Sequence, residues 1–171
     1  MRQPFGYSRY LAAGLTVALL LALSACGFHL RGDVNLDARL GKIHIKGADR
    51  YDPLVRELAQ SLTATGAVVV EESKDATAIL QILKNSGSRR VLSVSSAGKV
   101  REYELYQTLE FKVGDSAGRE LMAPQRLELT RAYLFDKEDV LGKSNEEEML
   151  RRDMRRDLVR LVMLRLEALG R

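Results

Sequence analysis

The sequence predicts an α/β fold of the α+β type, a two-layer sandwich with two helices on one face of a mainly antiparallel sheet. Three observations carry this expectation. Residues Arg101 to Val113 alternate strictly between apolar and polar, the mark of a long strand with one buried and one wet face. Residues Asp52 to Leu62 place leucines four apart behind an Asp-Pro pair, and residues 144–171 repeat apolar side chains at helical spacing behind an acidic start.

Taken in chain order, Arg39 to Lys46 is the first strand, with Ile43 and Ile45 in phase and His44 between them as a surface-facing residue. Asp52 is the N-cap of the first helix and Pro53 its N1 residue, where a missing N–H costs nothing. Leu54, Leu58 and Leu62 form its apolar stripe, and Gly66 suits the C′ position. Val68 to Glu71 is a short strand. Thr77 to Leu83 is another, with apolar residues on both faces and an open question of whether it runs on through Arg89 to Ser95. In the alternating strand, Tyr103, Leu105, Leu109, Phe111 and Val113 share one parity, while Glu102, Glu104, Thr108, Glu110 and Lys112 hold the other. Asp115 to Gly118 is a turn. Arg126 to Phe135 alternates again, with Leu127, Leu129, Tyr133 and Phe135 inward and Arg131 in the same phase. Ser144-Asn145-Glu146-Glu147 has the form of a capping box, with glutamates at the positive end of the helix dipole. The final helix then carries Leu150, Met154, Leu158, Leu161, Val162 and Leu169 on one stripe, with Arg151, Arg152, Arg155, Arg156, Arg160 and Arg165 on a solvated face. Long hairpins leave sheet edges that must be covered or paired, which is a reason to expect a protein partner.

Composition narrows function. The chain has 171 residues, 27 Lys and Arg against 23 Asp and Glu, one cysteine, two histidines and no tryptophan. One cysteine excludes an intramolecular disulfide and a Cys-rich zinc site. No G-x-S-x-G, H-E-x-x-H or Gly-rich phosphate loop is present, so an enzyme is disfavoured.

The amino terminus carries an address. Arg2 and Arg9 form a basic n-region, and Leu11 to Leu23 is an apolar run of 13 residues, too short to span a bilayer and the right length for a secretory h-region. The run ends in Leu23-Ser24-Ala25-Cys26, which resembles the lipobox of bacterial lipoproteins. That resemblance implies removal of residues 1–25 and N-acyl and S-diacylglycerol groups on Cys26. Three acyl chains exceed what stable anchoring requires. Gly27 rather than Asp after the cysteine looks like release to the outer membrane. Losing residues 1–25 removes Arg2 and Arg9 and no acid, which leaves a net charge of +2 and no footprint for nucleic acid. Residues 26–37 are then a lipidated tether and 38–171 a single domain. His29 lies near Cys26, but lipidation consumes the thiol and no further ligand is close in sequence, so neither metal nor other cofactor is expected.

Cys26-Gly27-Phe28-His29-Leu30-Arg31-Gly32 resembles the start of the LptE family of LPS-assembly lipoproteins. The likeness continues through Arg90-Val91-Leu92-Ser93-Val94, Gly98-x-x-x-Glu102-Tyr103-x-Leu105, Arg131-x-Tyr133 and Val140-Leu141-Gly142-Lys143. It implies two helices on about four strands. It also implies a non-enzymatic outer-membrane lipoprotein on the periplasmic side, which plugs and helps assemble the LptD β-barrel in a 1:1 complex and assists lipopolysaccharide delivery to the outer leaflet. A scaffold lipoprotein of another envelope complex, without lipopolysaccharide binding, is the alternative. The family's basic residues for lipopolysaccharide lie in the turn before the Glu-Tyr strand and in the loop before the last helix. The second position is Lys143. In the first turn Ser95-Ser96-Ala97 stand instead, and Lys99 and Arg101 are the nearest cations. Arg131, in phase with inward residues, needs a partner such as Glu102 or Glu104, or else an edge position. For Arg89 and Arg90 the sequence leaves strand-capping and partner contact both open.

Overall fold

The computed structural model describes residues 37–138 and 140–170. The expected leader (1–25), Cys26, His29 and the tether before Asp37 lie outside the described residues. The elements are β1 (Lys42–Lys46), α1 (Pro53–Ala64), β2 (Val68–Val70), β3 (Ala78–Val94), β4 (Val100–Asp115), β5 (Glu120–Leu134) and α2 (Val140–Ala168), with short 3-10 turns at Ala38–Leu40 and Ser73–Asp75. Two helices cover one face of the sheet, so the expected α+β sandwich holds. The sheet, however, has five strands in the order β2-β1-β3-β4-β5 and is mixed. β1 pairs in parallel with both β2 and β3, whereas β3–β4 and β4–β5 are antiparallel. The β1–β2 parallel pair follows from the α1 crossover, and the link over residues 71–77 carries the chain past β1 to β3, which runs in the same direction.

Asp52 caps α1 as expected, its Oδ1 accepting from Leu54 N–H at 2.7 Å. Its Oδ2 accepts from the Asn85 side-chain amide at 3.0 Å, which ties the helix start to β3. Gly66 ends the turn at φ +87°. β3 does continue through Arg89, and a register shift between Ile82 and Lys84 lets it do so. The bulge demands glycine next door: a Cβ on Gly47 would stand 2.1 Å from the Ile82 carbonyl oxygen, and Gly47 has φ +92°.

The final helix starts at Val140, one turn before the expected Ser144 cap. Glu147, which a capping box needs to reach backward, is engaged by Tyr133, Arg89 and Arg151 instead. Lys143 pairs with Glu146 along the added turn at 2.8 Å. The arginine-rich face is solvated and also charge-matched. Arg152 meets Glu148, Arg156 meets Asp153, Arg160 meets Asp157, and Arg155 reaches Glu57 of α1 at 2.7 Å.

The main core lies between α1, the C-terminal half of α2 and the sheet, around Leu40, Ile43, Leu58, Leu80, Phe111 and Leu158. A second cluster, Leu105, Tyr133 and Met154 with Tyr103, Leu129 and Leu150 against it, sits where only the N-terminal half of α2 covers β4 and β5. At 29 residues α2 is about 43 Å long, so the two clusters mark its two ends. The far face of the sheet carries the polar parity of β4, and its strongest pairs are Arg126–Glu110 at 2.9 Å and Arg90–Glu104 at 2.8 Å.

Candidate functional site

The structure gathers the sequence-predicted cations at the end of the sheet remote from Asp37. Lys99 occupies the β3–β4 turn. There Ser95 N–H donates to the Lys99 carbonyl at 2.7 Å, Lys99 N–H donates to Ser95 Oγ at 3.2 Å, and Gly98 supplies φ +71°. Ser95, in the stretch where a basic residue was expected, therefore builds the turn itself. Arg101 begins β4, and its carbonyl accepts from Phe135 N–H at 2.8 Å, which holds the exit of β5 beside it. Lys143 lies in the first turn of α2, not in a loop; its Nζ donates to Glu146 Oε2 at 2.8 Å. Lys99 and Arg101 are exposed and enter no ion pair among the described residues.

The link that brings α2 to this end is a cluster the sequence reading left undecided. The Glu147 carboxylate accepts from Tyr133 Oη at 2.6 Å, from Arg89 Nη1 at 2.6 Å and from Arg151 at 2.7 Å. Burial opposes its ionisation, but hydrogen bonds from Tyr133, Arg151 and Arg89 outweigh that and hold its pKa at about 2. Burial, reinforced by the bond to Glu147, pushes the Tyr133 hydroxyl up. The Arg89 guanidinium lies 4.3 Å from the Tyr103 ring centre, and Tyr103 meets Phe135 edge-on at 5.1 Å. Arg90, one residue later, points to the other face. There it stacks on Tyr106 at 4.4 Å and bonds Glu104, whose carboxyl is held below the usual range by the Tyr106 hydroxyl and then by Arg90.

Arg131 pairs with neither Glu102 nor Glu104, which lie on the opposite face. It reaches Asp157 of α2 at 3.0 Å from the outer strand β5, about half exposed, so the edge reading is the right one. His44 faces away from the helices, half-buried, with Nδ1 3.2 Å from the Val70 carbonyl. Counting parity inward from Leu105 across the hairpin is the signal that would have placed Arg89 under α2, since the two residues are register partners.

Around these cations stand apolar side chains that no element covers: Val91, Leu92 and Val94 of β3, Leu134 of β5 and Leu141 of α2, the last 82% exposed. Cations beside exposed aliphatic surface make an amphipathic end, suited to a ligand with anionic and hydrocarbon parts. Among the described residues, no group of three or more His, Cys, Asp or Glu could hold a metal ion, and no helix is long and apolar enough to cross a membrane.

A helix-covered mixed sheet with a charge-matched open face and one amphipathic end is the architecture of a binding or assembly domain. The LptE lipopolysaccharide-assembly family model matches residues 40–166, and the chain belongs to that family of non-enzymatic lipoproteins. Among relatives, the chain is 29% identical over 155 residues to an LPS-assembly lipoprotein LptE of Photorhabdus laumondii, covering 89% of this chain and 84% of that one. It is 31% identical over 147 residues to that of Yersinia enterocolitica, covering 85% and 68%. Among solved structures, it is similar to a lipoprotein B of Nitrosomonas europaea (33% identity, TM-score 0.69, covering 83% of this chain and 91% of that one). It is similar also to the rare lipoprotein B of Shewanella oneidensis (31% identity, TM-score 0.63, covering 74% and 93%).

Proposed function

We propose that the chain is an outer-membrane lipoprotein, held on the periplasmic side by acyl groups on Cys26, that plugs and helps assemble the LptD β-barrel in a 1:1 complex. In that place it assists the delivery of lipopolysaccharide to the outer leaflet and meets it through Lys99, Arg101 and Lys143. The observation that carries this reading is the amphipathic end of the sandwich, where these cations and the exposed Val94, Leu134 and Leu141 lie together at the end remote from Asp37. Asp37 lies beside Gly170 at the C-terminal end of α2, the end of the domain opposite these cations. The lumen of a large barrel is polar, and the charge-matched exterior of this domain suits it. Lys99 and Arg101 offer their charge directly, whereas Lys143 must exchange Glu146 for a ligand phosphate.

Affinity isolation from outer membranes in mild detergent tests the reading. One large barrel protein recovered in equal amount supports it. Recovery with a different envelope complex and no such barrel moves the assignment to the scaffold alternative.

A further inference from the structure

A second cationic site lies at the opposite end, on the sheet face that the helices leave open. A cleft of about 280 Å³ opens there, lined by Lys46, Ile79, Gln81, Lys112, Gly114 and Glu120 among others. Register places Lys46 opposite Gln81 and Gln81 opposite Lys112, so two ammonium groups and an amide stand in one row across β1, β3 and β4. Strands are about 4.8 Å apart, which puts the two lysine stems about 10 Å apart at their roots, a span that two four-carbon arms close over one tetrahedral anion. The adjoining row explains the hollow, because β4 contributes Gly114 there, with no side chain, beside the apolar Ile79.

The charge of the cleft is positive. Neither Lys46 nor Lys112 enters an ion pair among the described residues, whereas on the same face Arg90 and Arg126 are matched to glutamates. Of the two carboxylates on its rim, Asp115 is neutralised by Arg119 at 2.7 Å, which leaves Glu120 against two lysines. The cleft also adjoins the point of entry: Ala38 and Arg39 face the same Asp115 to Glu120 turn. Ten residues lie between Cys26 and Asp37, and the eleven steps reach about 38 Å at full extension.

We propose that this cleft seats the phosphate of a phospholipid headgroup from the leaflet that holds the acylated Cys26. The proposal rests on the lipoprotein reading for its source of lipid, and on Lys46, Gln81 and Lys112 for its chemistry.

Native mass spectrometry of the full chain, purified from membranes in dodecyl maltoside and given dioleoyl phosphatidylglycerol, tests it. The wild-type chain should retain one phospholipid, and a Lys46→Ala/Lys112→Ala chain should retain at least fivefold less. Lys46→Arg/Lys112→Arg should restore retention, and Lys99→Ala/Arg101→Ala should leave it unchanged. Equal retention by the Ala pair, equal loss in the Lys99/Arg101 variant, or equal retention of dioleoylglycerol overturns the proposal. Displacement by millimolar inorganic phosphate alone, or by equimolar lipopolysaccharide, reassigns the cleft to that anion and overturns the phospholipid assignment. The same spectra read the mass of the acyl groups on Cys26, so failure of the anchor and failure of the cleft are seen separately.

Discussion

Arg89 of β3 donates to the Glu147 carboxylate of α2 at 2.6 Å, across 58 residues of chain, while its guanidinium lies on the Tyr103 ring. This pair fastens the first half of the last helix to a stretch of sheet that α1 does not reach. The second core cluster has only three buried members, so polar contacts contribute a larger share of the attachment here than in the main core. Gly87 belongs to the same arrangement, because a Cβ there would meet Gln107 Oε1 at 2.6 Å and Arg151 Nη1 at 3.3 Å.

Replacing Glu147 by Gln should destabilise the domain by about 1–3 kcal/mol at pH 7, since Arg89 and Arg151 lose their shared carboxylate. The folded pKa of about 2 lies below the ordinary 4.5, so the contribution is complete above about pH 4.5 and disappears as pH falls toward 2. Urea unfolding of both proteins from pH 7 to pH 2.5 checks this. A gap between them that stays constant across that range refutes the assignment.

Arg89→Ala and Arg90→Ala should differ in cost. The first removes one of three donors to a largely covered carboxylate, together with the ring contact over Tyr103, at about 1–2 kcal/mol. The second breaks a pair whose arginine is 64% exposed, at no more than about 1 kcal/mol. Paired denaturation curves at pH 7 read the difference.

Gly47→Ala should cost at least about 2 kcal/mol, because it combines a left-handed backbone with a collision against the Ile82 carbonyl. Gly66→Ala meets nothing within 4 Å and should cost only about 1 kcal/mol from its positive φ. Thermal melting of the two variants side by side should rank them in that order.

Lys143→Asp should weaken lipopolysaccharide binding without unfolding the domain, and Lys99→Asp/Arg101→Asp should weaken it as well. Binding to immobilised lipopolysaccharide, with circular dichroism as the folding control, decides this. Unchanged binding in both variants removes the cations from the ligand site.

Cys26→Ala should abolish incorporation of labelled palmitate and leave the leader uncleaved at the Ala25–Cys26 bond. Palmitate labelling followed by sizing of the product is the measurement. Processing at the same bond without the cysteine would remove the anchor from the account.

Much of the fold was legible because its signals are local. Period-two alternation marked β4, and the Asp52-Pro53 cap with its leucine stripe marked α1. The candidate cations were legible only through family resemblance. Their positions took shape when Phe135 closed on Arg101 and Glu147 closed on Tyr133. Two features escaped for the same reason. Nothing near Ser144 says that Glu147 is taken by residues from two other strands, and nothing near Arg131 says that Glu102 and Glu104 lie across the sheet from it.

By itself the sequence determined the order and kind of the helices and strands though not all their bounds, the apolar side of β4 and of both helices, and the family the chain resembles, since these are written in neighbours a few residues apart. The tertiary structure alone decided that β1 joins its neighbours in parallel, that adjacent arginines serve opposite faces, and that Lys46 and Lys112 share a row. Those relations depend on strand register and crossover direction, which join residues dozens of positions apart and leave no period in the chain.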